Sequence, residues 1–133
     1  MSIYLFAGAS SAIAQETAKL LQHKGHSVIA LSRQQVNFKY DEFYQILDYS
    51  FGSFPKIDHE INGLVYFPGS INLKPFERIK QEEFISDFNI NALGAVAFTQ
   101  FYLKNMKKAD AHPLYTSVLW QPEQVFLSTL PLH

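Results

Sequence analysis

The apolar run Ile3 to Ala7 is stopped by Gly8, and the residues after it repeat at a different period. IYLFA has no polar alternation, so it suits a strand buried on both faces. Beyond it, Ile13, Thr17, Leu20 and Leu21 recur at helical spacing until Gly25, a usual helix stop. HSVIALSR then carries a second continuous apolar run, Val28 to Leu31. Two doubly buried strands joined through a helix pair in parallel by a crossover, the building block of open α/β sheets. The first 33 residues therefore point to an α/β fold with a doubly wound parallel sheet.

The rest of the chain continues the alternation. FYQILDYS reads as a third strand ending at Asp48, and the connection before it, QQVNFKYDE, is short for a packed helix. INGLVYFPGS reads as a fourth strand from Ile61 to Phe67, stopped by Pro68 and Gly69. One long helix is expected between Gln81 and Lys107. Phe84, Ile85, Phe88, Leu93, Val96, Ala97, Phe101 and Leu103 form its apolar stripe, with acids early and lysines late as the helix dipole favours. That stripe is expected to pack on the sheet and on a second copy, making helix 81–107 a homo-oligomer contact.

A length of 133 residues fits one domain, and 47% hydrophobic against 17% charged residues is the balance of a globular chain that buries a core. A formal charge of −1 supplies no broad basic surface, so neither nucleic acid nor membrane is expected as a partner. There is no cysteine, and the five histidines lack metal-ligand spacing, so no metal site is expected. MSIYLFAGAS has no basic leader and too short an apolar run for a signal or a span, which makes the cytoplasm the expected compartment.

The segment GASSAIAQET joins the first strand to the first helix, where backbone N–H groups and the positive helix end converge. Gly8 permits a tight turn, Ser10 and Ser11 offer hydroxyls, and Ala12, Ile13 and Ala14 open the helix with little bulk at the alanines. Such a loop serves a phosphate, or serves only as ordinary helix capping.

Across roughly residues 2–108 the sequence resembles the short-chain dehydrogenase/reductase family. The family's first loop reads Gly-x-x-x-Gly-x-Gly; Gly8 matches it, and Ala12 and Ala14 stand in the later glycine slots. Arg33 lies where members that prefer NADP place a base for the 2′-phosphate, and no acid stands at that strand end to take the ribose hydroxyls. Asp48 resembles the aspartate that touches the adenine. YFPG, Tyr66 to Gly69, stands for Asn-Asn-Ala-Gly, with Gly69 the literal match. NALG reproduces Asn-x-x-Gly through Asn91 and Gly94, the asparagine being part of the family's active-site water relay.

The resemblance implies a Rossmann-like fold and NAD(P)-dependent hydride transfer between a cofactor and a small carbonyl or alcohol, with NADP favoured over NAD. The cofactor residues it implies are Gly8, Ser10, Ser11, Ala12, Ile13, Arg33, Asp48 and Gly69, with Asn91 as the catalytic candidate. The family's Ser and Tyr-x-x-x-Lys are not found: Tyr115 has Leu119 four residues on, and no lysine follows Lys108. Codons shifted by one nucleotide from about His112 allow Ala-Ser-Ile-Val-Tyr-Phe-Ser-Ser-Val-Ala, a fifth strand with its serines. Residues 1–111 are thus expected to be the nucleotide-binding portion, with the sheet incomplete at its C-terminal side. Residues 112–133 are expected to be an atypical tail, out of frame or truncated, leaving the chain inactive as written. The alternative is a noncatalytic nucleotide-binding or dimerising module.

Overall fold

Strands β1 (Ile3–Ala7), β2 (Ser27–Ser32), β3 (Glu42–Gln45), β4 (Gly63–Tyr66) and β5 (Thr116–Val118) form one sheet in the computed structural model, which describes residues 1–69, 74–106 and the backbone of 116–118. Their order is β3-β2-β1-β4-β5, and every pairing is parallel. β1 is central, with Leu5 beside Ile29 of β2 and Leu64 of β4. Its side chains alternate between two cores, as the strand's period of two requires. Phe6 joins Val28, Ala30, Ala14 and Ala18 on one face; Leu5 and Ala7 join Ile29, Leu31, Leu64 and Phe98 on the other. The sheet is therefore covered on both faces, which explains strands without polar alternation. The proposed frame change and the boundary at 111 lie mainly outside the described residues.

Helix α1 (Ala12–His23) presents Ala14 and Ala18 to the sheet, with Leu21 partly buried. Of the positions Ile13, Thr17, Leu20 and Leu21 that recur at helical spacing, Leu21 packs on this core, whereas Ile13 and Leu20 are exposed. The difference has a steric cause: alanines four residues apart let the helix lie close to the strands, which side chains as bulky as Ile13 and Leu20 would prevent. The β2–β3 connection contains no helix. Val36, Phe38 and Tyr40 pack instead against the core under α1.

The expected third strand is only four residues long and ends before Asp48, and β4 is shorter than 61–67. The long helix is also interrupted. It runs as α2 (Gln81–Phe88), a π-helical turn Asn89–Leu93, and α3 (Gly94–Tyr102), followed by a 3₁₀ turn at Leu103–Asn105. An inserted residue moves the helix face by roughly 100°, so a stripe counted at one unbroken period cannot face the sheet on both sides of the turn. Gly94, Ala97, Phe98 and Tyr102 are buried, while Phe84, Ile85, Phe88, Leu93, Val96 and Leu103 stay exposed. Of the expected stripe, Ala97 alone is fully buried and Phe101 is half-buried. Phe98 and Tyr102 stack with Phe54 from the β3–β4 loop, and the Tyr102 hydroxyl donates to Pro55 O at 2.7 Å.

Replacing the buried ring in Phe98→Ala should cost about 3–5 kcal/mol, whereas Phe88→Ala, at an exposed position, should stay within about 0.5 kcal/mol. Urea melts of the two variants check this. Equal losses would mean that the helix faces the sheet through the other stripe.

Candidate functional site

A sheet ordered 3-2-1-4-5 reverses direction between β1 and β4, and the crevice outside the carboxyl ends of those strands is where open α/β sheets hold ligands. Gly8 closes β1 with φ +88°, and a Cβ there would meet Pro68 Cδ at 2.8 Å. Only glycine meets both demands, the positive φ and the close approach. The N–H groups of Gly8 and Ala9 both donate to Leu31 O, at 2.9 and 3.0 Å, which draws the loop across the end of β2. The buried Tyr40 hydroxyl donates to Ala9 O at 2.7 Å and fixes the loop from above. Ser11 is the N-cap of α1, its Oγ accepting from Ala14 N.

These constraints bring Gly8, Ser10, Ser11, Arg33 and Gly69 around one cleft of about 120 Å³, with Ser32 and Tyr49 also in its wall. Five residues named from the sequence thus converge there. The side chains of Ala12 and Ile13 do not; both are exposed on the first turn of α1. What those two positions offer is backbone, since first-turn N–H groups have no partner within their own helix. Hydroxyls and a guanidinium around a glycine cradle too tight for a Cβ make a donor set that fits an anionic phosphate group.

Asp48 belongs to a neighbouring cleft of about 330 Å³, lined also by Tyr49, Ile90, Leu93 and Gly94. It does not end the third strand but lies three residues beyond it, in the β3–β4 connection. Its Oδ1 accepts from Ser50 N at 3.0 Å, Ser50 Oγ at 2.5 Å and Ser53 Oγ at 2.6 Å. The Ser50 hydroxyl first, then that of Ser53 and the Ser50 amide, hold the carboxyl down at about 2. Tyr49 lines both clefts, and burial pushes its phenol up to about 12, so it is a neutral group at physiological pH. Asn91 sits half-buried inside the π-helical turn whose neighbours Asn89, Ile90 and Leu93 face the second cleft.

Sequence reasoning missed Tyr40, Tyr49 and Tyr66. Tyr40 reaches Ala9 across 31 residues, and no local period signals such a bond. Tyr49 had a usable signal, its place beside Asp48. Among the described residues no group of three or more His, Cys, Asp or Glu is placed to hold a metal ion, and no helix is long and apolar enough to cross a membrane.

Gly8→Ala should destabilise the chain by about 1–3 kcal/mol through its positive φ alone, and more once Pro68 is displaced; a thermal melt beside Gly25→Ala, which meets no neighbouring atom, isolates the steric part. Because the folded Asp48 carboxyl is depressed, its contribution is present above roughly pH 4 and lost as pH falls through about 2. Stability measured across that range for wild type and Asp48→Asn should converge at the acid end. Parallel curves would mean that the serine hydrogen bonds do not hold the ionised form.

No family model matches the chain, and no curated protein matches it. Solved structures do. A short-chain dehydrogenase family protein from Francisella tularensis superposes with a TM-score of 0.68 at 20% identity, over 91% of this chain and 50% of that one. A short-chain dehydrogenase from Leptospira borgpetersenii, solved with bound NAD+, gives 0.64 at 20% identity over 77% and 45%. A short-chain dehydrogenase/reductase from Vibrio parahaemolyticus gives 0.68 at 16% identity over 86% and 56%. The chain spans about half the length of these proteins. Its parallel, Rossmann-like sheet is the fold of short-chain dehydrogenases and reductases over that half.

Proposed function

We propose that the chain is the nucleotide-holding portion of an NAD(P)-dependent short-chain oxidoreductase, and that it binds NADP in preference to NAD. The observation that carries this reading is the convergence of Gly8, Ser10, Ser11, Arg33 and Gly69 on one cleft at the sheet's switch point. Arg33 stands in the wall of that cleft, where a guanidinium suits a 2′-phosphate better than a ribose diol. The first-turn amides of Ala12 and Ile13 would face the pyrophosphate, and the cleft beside Asp48 and Tyr49 is the place for the adenine. A bound nicotinamide would supply hydride chemistry to a small carbonyl or alcohol. Asn91 is assigned a supporting part near it, and Gly69 a backbone contact. This sequence contains no Tyr-x-x-x-Lys pair, so binding without turnover is the expected behaviour of the chain by itself. A cytosolic setting is part of the same proposal, as is the tail boundary near 111.

A second reading is favoured by the exposed apolar residues Phe88, Leu93, Val96 and Leu103, which would serve a contact between two copies through the helical segment from Gln81 to Leu103. Sedimentation of the purified chain separates a dimerising module from a monomer that binds nucleotide.

Fluorescence titration with NADPH and NADH tests the main reading. Arg33→Ala should weaken NADPH roughly tenfold or more and leave NADH nearly unchanged. Equal loss for both cofactors would remove the NADP preference, and no binding of either by the wild-type chain would remove the reading itself.

A further inference from the structure

Tyr66, the last residue of β4, is one of the largest fully buried side chains, and its hydroxyl donates to Ile90 O at 2.6 Å. In an unbroken α-helix that carbonyl would accept from the N–H of Gly94. Here the Gly94 N–H bonds Asn89 O instead, one residue further back, which is the signature of the π-helical turn. The hydroxyl is therefore directed at the carbonyl that the change of register takes from Gly94. Gly94 completes the arrangement: a methyl group on it would overlap the Tyr66 hydroxyl. The tyrosine also touches the opposite wall, its ring meeting Tyr49 edge-on at 5.7 Å between centroids. Tyr49 on one side and Ile90, Leu93 and Gly94 on the other line the cleft beside Asp48.

We propose that Tyr66 is a positioning residue: its hydroxyl and Gly94 together hold the π-helical turn, and so set the width of the cleft and the placement of Asn91. The proposal deepens the nucleotide-binding reading and rests on it. It concerns a position where this chain departs from the asparagine of the family it resembles, and it gives the large replacement a purpose. Burial keeps the phenol protonated far above neutral pH, so the hydroxyl remains a donor under all ordinary conditions.

The test uses the full chain and three variants, Tyr66→Phe, Gly94→Ala and the double variant. Amide exchange across 89–95 reads the turn without nucleotide, and NADPH titration well below each unfolding midpoint reads the cleft. Tyr66→Phe should speed exchange in the turn and weaken NADPH, each by roughly fivefold. Gly94→Ala should weaken NADPH further, and adding Tyr66→Phe to it should recover part of the loss, because the overlapping oxygen is gone. Additive losses would mean that the hydroxyl and Gly94 do not act together on the turn, which overturns the proposal. So does unchanged exchange across 89–95 in Tyr66→Phe. Should Gly94→Ala fail to fold, Tyr66→Phe decides the matter through exchange and affinity. If the wild-type chain binds neither NADPH nor NADH, the role at the nucleotide cleft falls with the reading it rests on. That failure is distinguishable, because faster exchange in Tyr66→Phe would still be seen without any ligand.

Discussion

Gly8 and Pro68 meet where β1 and β4 end, in a contact too close for any side chain on the glycine. The two strands are paired in register from Tyr4–Gly63 to Ala7–Tyr66, and the Phe67 amide extends the ladder by donating to Ala7 O. The chain must leave β1 within one residue, at a positive φ, and run across the end of β2. Two N–H groups on Leu31 O and the Tyr40 hydroxyl on Ala9 O hold it there. The start of α1, the place of Ser10 and Ser11 and the access of Arg33 to the crevice all follow from this crossing.

The opposite face obeys a different constraint. β4 delivers the bulky Tyr66 beneath the long helix, and the helix accommodates it with a glycine and a change of hydrogen-bond register. Beyond the turn, α3 is free to bury Ala97, Phe98 and Tyr102 against Phe54 and the sheet. Before it, α2 buries no residue fully. The packing energy of this layer thus lies on the C-terminal side of the turn, and α2 is the less anchored part.

The electrostatics of the crevice are local. With a formal charge of −1 the chain has no field to steer an anion from a distance, so the nucleotide binding proposed above would depend on one guanidinium and hydroxyls at short range. Asp48 stays ionised because serines satisfy it, and the tyrosines stay neutral because burial penalises their anions.

β1, β2 and β4, the crossover helix and Gly8 were legible in the sequence, because apolar runs, period changes and glycine stops are properties of neighbouring residues. So were Ser10, Ser11, Arg33 and Gly69, through the family resemblance, and they converge because loops at the carboxyl ends of parallel strands meet around the switch point. The helix faces were not. Ile13 and Leu20 outweigh Ala14 and Ala18 in any count of hydrophobicity, yet the sheet leaves room only for the alanines. Nor could a period reveal that Asp48 would lie beyond a strand cut short at Gln45, or that the helix would change phase at Asn89. The phase change at Asn89 accompanies Tyr66 reaching Ile90 O across 24 residues, and the loop after β1 is tied by Tyr40 reaching Ala9 O across 31. Local sequence determined which segments became strands and helices; tertiary packing decided their phase and their hydrogen-bond partners, because steric fit and polar satisfaction in a shared core are settled between segments rather than within them.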